Sequence, residues 1–234
     1  MKALADAAWP LAAEGLCPNS PGADLRLVPS LLGCAGLEPF MKEQERFNVM
    51  MEDGITLRRH LATEMAPLVI QAIDLCEAAL RGGGKLFFCG NGGSAADAQH
   101  LATELLVRLR SRVERPSWPA IALTLDPAAL TAGGNDYGFE NVFARPLSGL
   151  GRQGDVLVGI TTSGRSPNVI KALQVARGMG IGTIGFLGGD GGGAAPLCDV
   201  ALIVPSSETM RVQEAHISLG HAILELLEDR LIAS

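Results

Sequence analysis

The stretch Lys85-Leu86-Phe87-Phe88-Cys89-Gly90-Asn91-Gly92-Gly93-Ser94-Ala95-Ala96-Asp97-Ala98-Gln99-His100 decides how the rest of the chain is read. A short apolar run breaks into glycines and then into a helical pattern, which reads as strand, tight loop and helix. In α/β proteins that junction is where ligands bind. Its glycines let the backbone approach a ligand closely, and the N–H groups of a helix N-terminus stabilise an anion there. The spacing Gly90, Gly92, Gly93 is not GxGxxG, so the loop alone is a weak signal. Two features give it weight. The following helix carries His100 and Glu104, and a second candidate anion loop, Thr161-Thr162-Ser163-Gly164-Arg165-Ser166, lies downstream.

Outward from this stretch, strands are predicted at 85–90, 119–125, 155–161, 182–187 and 199–204. Helices are predicted at 94–110, 127–133, 138–150, 166–179 and 209–231. Strand–helix alternation with short Gly-rich connections predicts an α/β fold of three layers, a parallel five-stranded sheet flanked by helices on both faces. Before the first strand, Leu57, Leu61, Met65, Leu68, Ala72, Leu75 and Ala79 recur at three- and four-residue steps, an apolar helical stripe that needs a partner. Pro67 predicts a kink or a break into two helices, and Arg81-Gly82-Gly83-Gly84 stops the pattern. Such N-terminal helices cover a sheet or pack across a subunit interface.

Residues 1–40 behave differently. Prolines 10, 18, 21, 29 and 39 break every periodic pattern, and Asp6, Pro10 and Glu14 interrupt any signal-peptide core. They read as an irregular N-terminal extension. Met41-Lys42-Glu43-Gln44-Glu45 resembles an ordinary protein start, which places residues 1–40 outside the functional unit, 41–234. The intact mass of the natively produced protein tests that reading.

The 234 residues suit one domain with a sizeable core. A net charge of −6 shows no nucleic-acid footprint, so an anionic ligand must be held locally by loops and helix ends. The cysteines, Cys17, Cys34, Cys76, Cys89 and Cys198, form no CxxC and no metal spacing. Their odd number and the apolar neighbours of Cys76 and Cys89 indicate reduced, buried thiols and a cytoplasmic protein. No segment has the length to span a bilayer.

His100 and Glu104 stand four residues apart, one turn on one helix face. That spacing suits two ligands to one metal, or a ligand beside a general base; it is also an ordinary surface pair. The last helix carries Gln213, Glu214, His216 and His221. Gln213 and His221 are about 80° apart in helical phase and share a broad face. In the second loop four hydroxyls and the N–H groups of a helix start form a phosphate cradle that needs little net positive charge. A Ser/Thr-rich N-cap that binds nothing has the same composition, but with Ser94 included five hydroxyls on two loops favour phosphate. Gly134-Asn135-Asp136-Tyr137-Gly138 reads as a turn whose carboxylate is free to hold a polyol hydroxyl.

The set GNGGSAADAQH with Glu104, RPSWPAIALT, GNDYGFE, GRQGDVLVGITTSGRSPNVIKA and VQEAHISLGH resembles the phosphoheptose isomerases of the sugar isomerase (SIS) family, from about Met41 to the C-terminus. The resemblance implies a flavodoxin-like parallel sheet and a homotetramer with active sites at subunit interfaces. It implies interconversion of sedoheptulose 7-phosphate and D-glycero-D-manno-heptose 7-phosphate, the first step towards the ADP- or GDP-heptose of lipopolysaccharide or other surface glycans. It further implies one zinc per subunit on His100, Glu104, Gln213 and His221, with Glu104 the base and His221 the partner acid/base. The family's phosphate contacts match Ser94, Thr161, Ser163 and Ser166 and its sugar contacts match Asn91 and Asp136, while Gly92, Gly93, Thr162 and Gln213 complete the candidate substrate-binding set. Thr161 stands where Ser is frequent, and the hydroxyl is kept.

The alternative is a non-catalytic SIS-domain binding protein, resembling an initiator-associating factor of bacterial replication. A protein that only binds a partner has no need of the Glu104/His221 pair, and the presence of both favours the enzyme. A regulatory sugar-phosphate-binding domain is a third reading, but residues 1–54 show no basic helix-turn-helix stretch.

Overall fold

A computed structural model describes residues 42–124 and 126–233; the reading of residues 1–40 as an extension lies outside them. The chain forms α1 (Glu43–Glu64), α2 (Ala66–Arg81), β1 (Leu86–Gly90), α3 (Gly93–Leu106), β2 (Ala120–Ala122) and α4 (Pro127–Tyr137). It continues with α5 (Ala144–Leu150), β3 (Val156–Thr161), α6 (Pro167–Gly178), β4 (Gly182–Gly188), β5 (Val200–Val204) and α7 (Thr209–Ile232). The five strands are all parallel, in the order β2-β1-β3-β4-β5. This is the flavodoxin-like order, whose ligand crevice lies where the order reverses, between β1 and β3.

The apolar runs are buried along their whole length because helices cover both faces. Alternate residues feed two cores. Leu86, Phe88, Val158, Ile160 and Phe186 face Ile73, Leu101, Ile223 and Leu227 of α2, α3 and α7. Phe87, Cys89, Leu157 and Leu187 face Leu147, Val169 and Leu173 of α5 and α6. Burial pushes the Cys76 and Cys89 thiols up to about 12; Cys17 and Cys34 lie outside the described residues.

Pro67 is the second residue of α2, where its missing N–H has no intrahelical partner to lose, and the break falls at buried Met65. Four boundaries differ from those predicted. Helix α3 ends at Leu106 instead of 110, where Arg115 Nη2 and Nη1 donate to the Glu104 and Leu105 carbonyls at 2.5 and 2.7 Å. Strand β2 is three residues long instead of seven; it is an edge strand, and Pro119 before it has no N–H for the ladder. Helix α4 runs to Tyr137 and takes in the predicted turn Gly134–Tyr137. It is started by Pro127 and by the Asp126 carboxylate, which accepts from the Ala129 N–H at 3.0 Å, and it stops only at Gly138, with φ +84°. The helix predicted over 138–150 is a 3₁₀ turn, Phe139–Asn141, and then α5, which lets Val142 and Phe143 enter the core between them.

Candidate active site

Loops after β1 and β3 bring the N-termini of α3 and α6 to the reversal point of the sheet. In the first loop Gly92 and Gly93 are exposed, Asn91 is half-buried and Ser94 is buried inside the first turn of α3. In the second, the Thr161 and Ser166 hydroxyls are 2.9 Å apart, while Thr162 is half-buried and Ser163 exposed. Gly164 sits at φ +65°, and a Cβ there would run into the Gly191 carbonyl, so the 188–193 turn presses directly on this loop. Arg165 is the cation in the loop, and its guanidinium is paired with Asp190 at 2.7 Å, holding that carboxyl below its usual range together with the Gly192 N–H. The cradle therefore offers an anion mainly hydroxyls and helix-end N–H groups.

Helices α3 and α7 supply the titratable groups. His100 Nε2 and His221 Nε2 approach to 2.7 Å, and Glu104 Oε1 is 3.3 Å from His100 Nε2. The three donors lie within 4.8 Å of one another. Two imidazole nitrogens and a carboxylate oxygen converging from a rigid helix pair fit a zinc ion by ligand type and number. Gln213 precedes His221 by eight residues, roughly 12 Å of helix rise, and its amide lies where a Cβ on Gly93 would be, at the start of α3. Asp136 is exposed on the last turn of α4, and its carboxylate accepts from Asn135 Nδ2 at 2.7 Å.

Several further residues bear on this neighbourhood. Asp97 lies one turn before His100, with Oδ2 buried and without a hydrogen-bond partner among the described residues. Burial pushes its carboxyl up, against the pull of His100 and His221; its three-residue step from His100 is the signal that marks it in the sequence. Asn168 is buried under the second loop and paired with Asn91. Arg115 and Glu228, 2% and 1% exposed, meet at 2.9 Å, and Arg110 Nε reaches the other Glu228 oxygen at 2.5 Å. These pairs fasten the end of α3, which bears Glu104, to α7. His216 is fully buried; its Nε2–H donates to the Leu187 carbonyl at 3.0 Å, and Nδ1 has no partner among the described residues.

The SIS domain family model matches residues 52–188. A phosphoheptose isomerase of Chlorobaculum parvum is 51% identical over 176 residues, 75% of this chain and 84% of the relative. The structure of the phosphoheptose isomerase of Neisseria gonorrhoeae superimposes with a TM-score of 0.75 at 42% identity, over 80% of this chain and 100% of that one. That from Francisella tularensis does so with a TM-score of 0.77 at 36% identity, over 81% and 100%. By the reach of the family model and by identity sustained over three quarters of its length, the chain belongs to the SIS domain family and, within it, to the phosphoheptose isomerases.

Proposed function

We propose that the protein is an aldose–ketose isomerase that converts sedoheptulose 7-phosphate to D-glycero-D-manno-heptose 7-phosphate, the first step of heptose supply for lipopolysaccharide or another surface glycan, in the cytoplasm. The observation that carries this reading is the meeting of His100, Glu104 and His221 across α3 and α7, with α3 starting at the glycine loop after β1. Identity of 51% to a relative bearing the isomerase name supports it.

The phosphate sits on the N–H groups of α3 and α6 and on the hydroxyls of Ser94, Thr161, Thr162, Ser163 and Ser166. Gly92 leaves room for the sugar, Gly93 makes room for the Gln213 amide, and Gln213 and Asp136 stand along the sugar. Glu104 removes a proton from C1 while His221 delivers one to O2, giving an enediol. Return of a proton to C2 and loss of the O1 proton complete the aldose. Each such proton transfer is worth about 10²–10⁴-fold. Zinc on His100, Glu104 and His221, one per subunit and with Gln213 as the fourth residue of the set, supplies Lewis-acid polarisation of a substrate oxygen when bound.

A homotetramer with active sites at subunit interfaces is part of the same proposal. Phe47, Met51 and Ile55 form an exposed stripe on α1. A groove of about 390 Å³ between the N-terminal helices and α7 is lined by Leu61, Val69, Ile70, Leu219 and Leu226. Contiguous apolar surface of this kind suits burial against another copy. Light scattering on a sizing column is expected to give four chains, and a clean monomer overturns the shared site.

The direct test is incubation with sedoheptulose 7-phosphate, with and without zinc after chelation, followed by NMR. Conversion to the aldose is expected. Its absence from folded protein in every condition returns the chain to the binding-protein alternative, which the Glu104/His221 pair disfavours.

A further inference from the structure

The two ligand loops leave neighbouring strands and are joined by one pair of side chains. Asn91 Nδ2 donates to Asn168 Oδ1 at 2.8 Å, and Asn168 Nδ2 donates back to Asn91 Oδ1 at 2.8 Å. The Val169 N–H also donates to Asn168 Oδ1, at 3.0 Å. That third bond fixes which way round the Asn168 amide lies and, through it, the Asn91 amide, because each oxygen must face an N–H. Asn168 is 2% exposed and is the second residue of α6, so it is held by a packed helix. Asn91 is the last residue before the glycines of the first loop, and its carbonyl accepts from the Ser94 N–H at 3.0 Å. The pair thus bridges the reversal point of the sheet, gripping the first loop on one side and the start of α6 on the other.

We propose that Asn168 is a positioning residue for phosphate binding. With Asn91 it forms a bracket that fixes the N-terminus of α3 against that of α6, so that both sets of N–H groups and hydroxyls converge on one anion. This deepens the sugar-phosphate reading above and rests on it. It also gives Asn91 a different task from a sugar ligand, since its amide oxygen and one N–H are already taken up by Asn168.

A double-mutant cycle separates these roles. Asn91→Ala, Asn168→Ala and the double variant are titrated by calorimetry with inorganic phosphate and with sedoheptulose 7-phosphate, and their melting temperatures are recorded. Each single variant is expected to weaken both ligands by the same factor, about tenfold, and the double variant no more than either single, as for two halves of one interaction. An Asn91→Ala loss confined to the sugar phosphate, or additive losses, makes Asn91 a direct ligand and overturns the bracket. Lower melting temperatures with unchanged affinities make the pair merely structural and overturn it too, as does a wild-type protein that binds neither ligand. Asn168→Ser keeps a hydroxyl for the Val169 N–H and replaces Asn168→Ala in the cycle if the alanine variant does not fold. Inorganic phosphate binds without turnover, so protein that binds it with the expected cycle but leaves the heptulose unconverted fails the isomerase reading and keeps the bracket.

Discussion

The loops at the ends of β1 and β3 and the facing surfaces of α3 and α7, the two parts of the proposed site, are built differently. In the loops the proposed binding groups are backbone N–H groups and hydroxyls that neighbours in sequence hold in place: Thr161 with Ser166, and Ser163 with Arg165. Between the helices, the groups are titratable side chains that meet across 121 residues of sequence, and only because the two helices are clamped together. A loop of redundant weak donors should tolerate the loss of any one. A constellation of two imidazoles and one carboxylate, each with its own task, should not.

The largest expected effect follows from that contrast. Glu104→Gln keeps the shape of the side chain and removes the base, so turnover should fall at least 10²–10⁴-fold. Phosphate affinity measured by calorimetry should stay within a factor of two or so, because the loops are intact. Activity near that of the wild type would break the division of labour. The next effect is on stability. Glu228→Ala leaves buried Arg115 and half-buried Arg110 without their shared carboxylate, and stranding a buried charge costs about 3–5 kcal/mol. Urea unfolding measures it, and a loss under 1 kcal/mol would mean that the clamp does not hold α3 to α7.

The same division governs what the sequence disclosed. The strand, loop and start of α3 are legible because the apolar run 85–89, the glycines and the helical pattern lie side by side. The His100–Glu104 pair is legible from helical spacing. That His221 arrives opposite them is not contained in any local pattern; the family resemblance implied it. Asn168 and Arg115 escaped because their partners, Asn91 and Glu228, are 77 and 113 residues away. Long-range contacts also moved the boundaries: Arg115 ends α3 early. At α4 a strong start overrode the turn preference of Gly134-Asn135-Asp136.

His216 stands on α7 five residues before His221 and donates to the end of β4, the strand next to β3. Burial lowers its pKa from the ordinary 6.5 to about 4, against the Leu187 carbonyl, which favours the protonated ring. Between those values the unfolded chain binds a proton that the folded one does not. Stability is therefore whole above pH 6.5 and falls as the pH drops towards 4, by about 3 kcal/mol at most. His216→Gln retains a donor for Leu187 without the titration, and urea midpoints at pH 4.5 and pH 7 should lie closer together for it than for the wild type. An equal gap in both proteins would assign the acid sensitivity to other groups.

The smallest effect sharpens the contrast most. Ser163 is exposed, and its Oγ already accepts from the Arg165 N–H at 3.2 Å. Ser163→Ala removes one donor from a cradle that keeps the hydroxyls of Thr161, Thr162 and Ser166 and two helix ends. One hydrogen bond of this kind nets about 0.5–1.5 kcal/mol, so KM should rise roughly two- to tenfold. Because phosphate lies remote from C1 and C2 and is held equally in ground and transition states, kcat should not change. A fall in kcat to match Glu104→Gln would show that the hydroxyl loop takes part in chemistry, and the two regions would then be one.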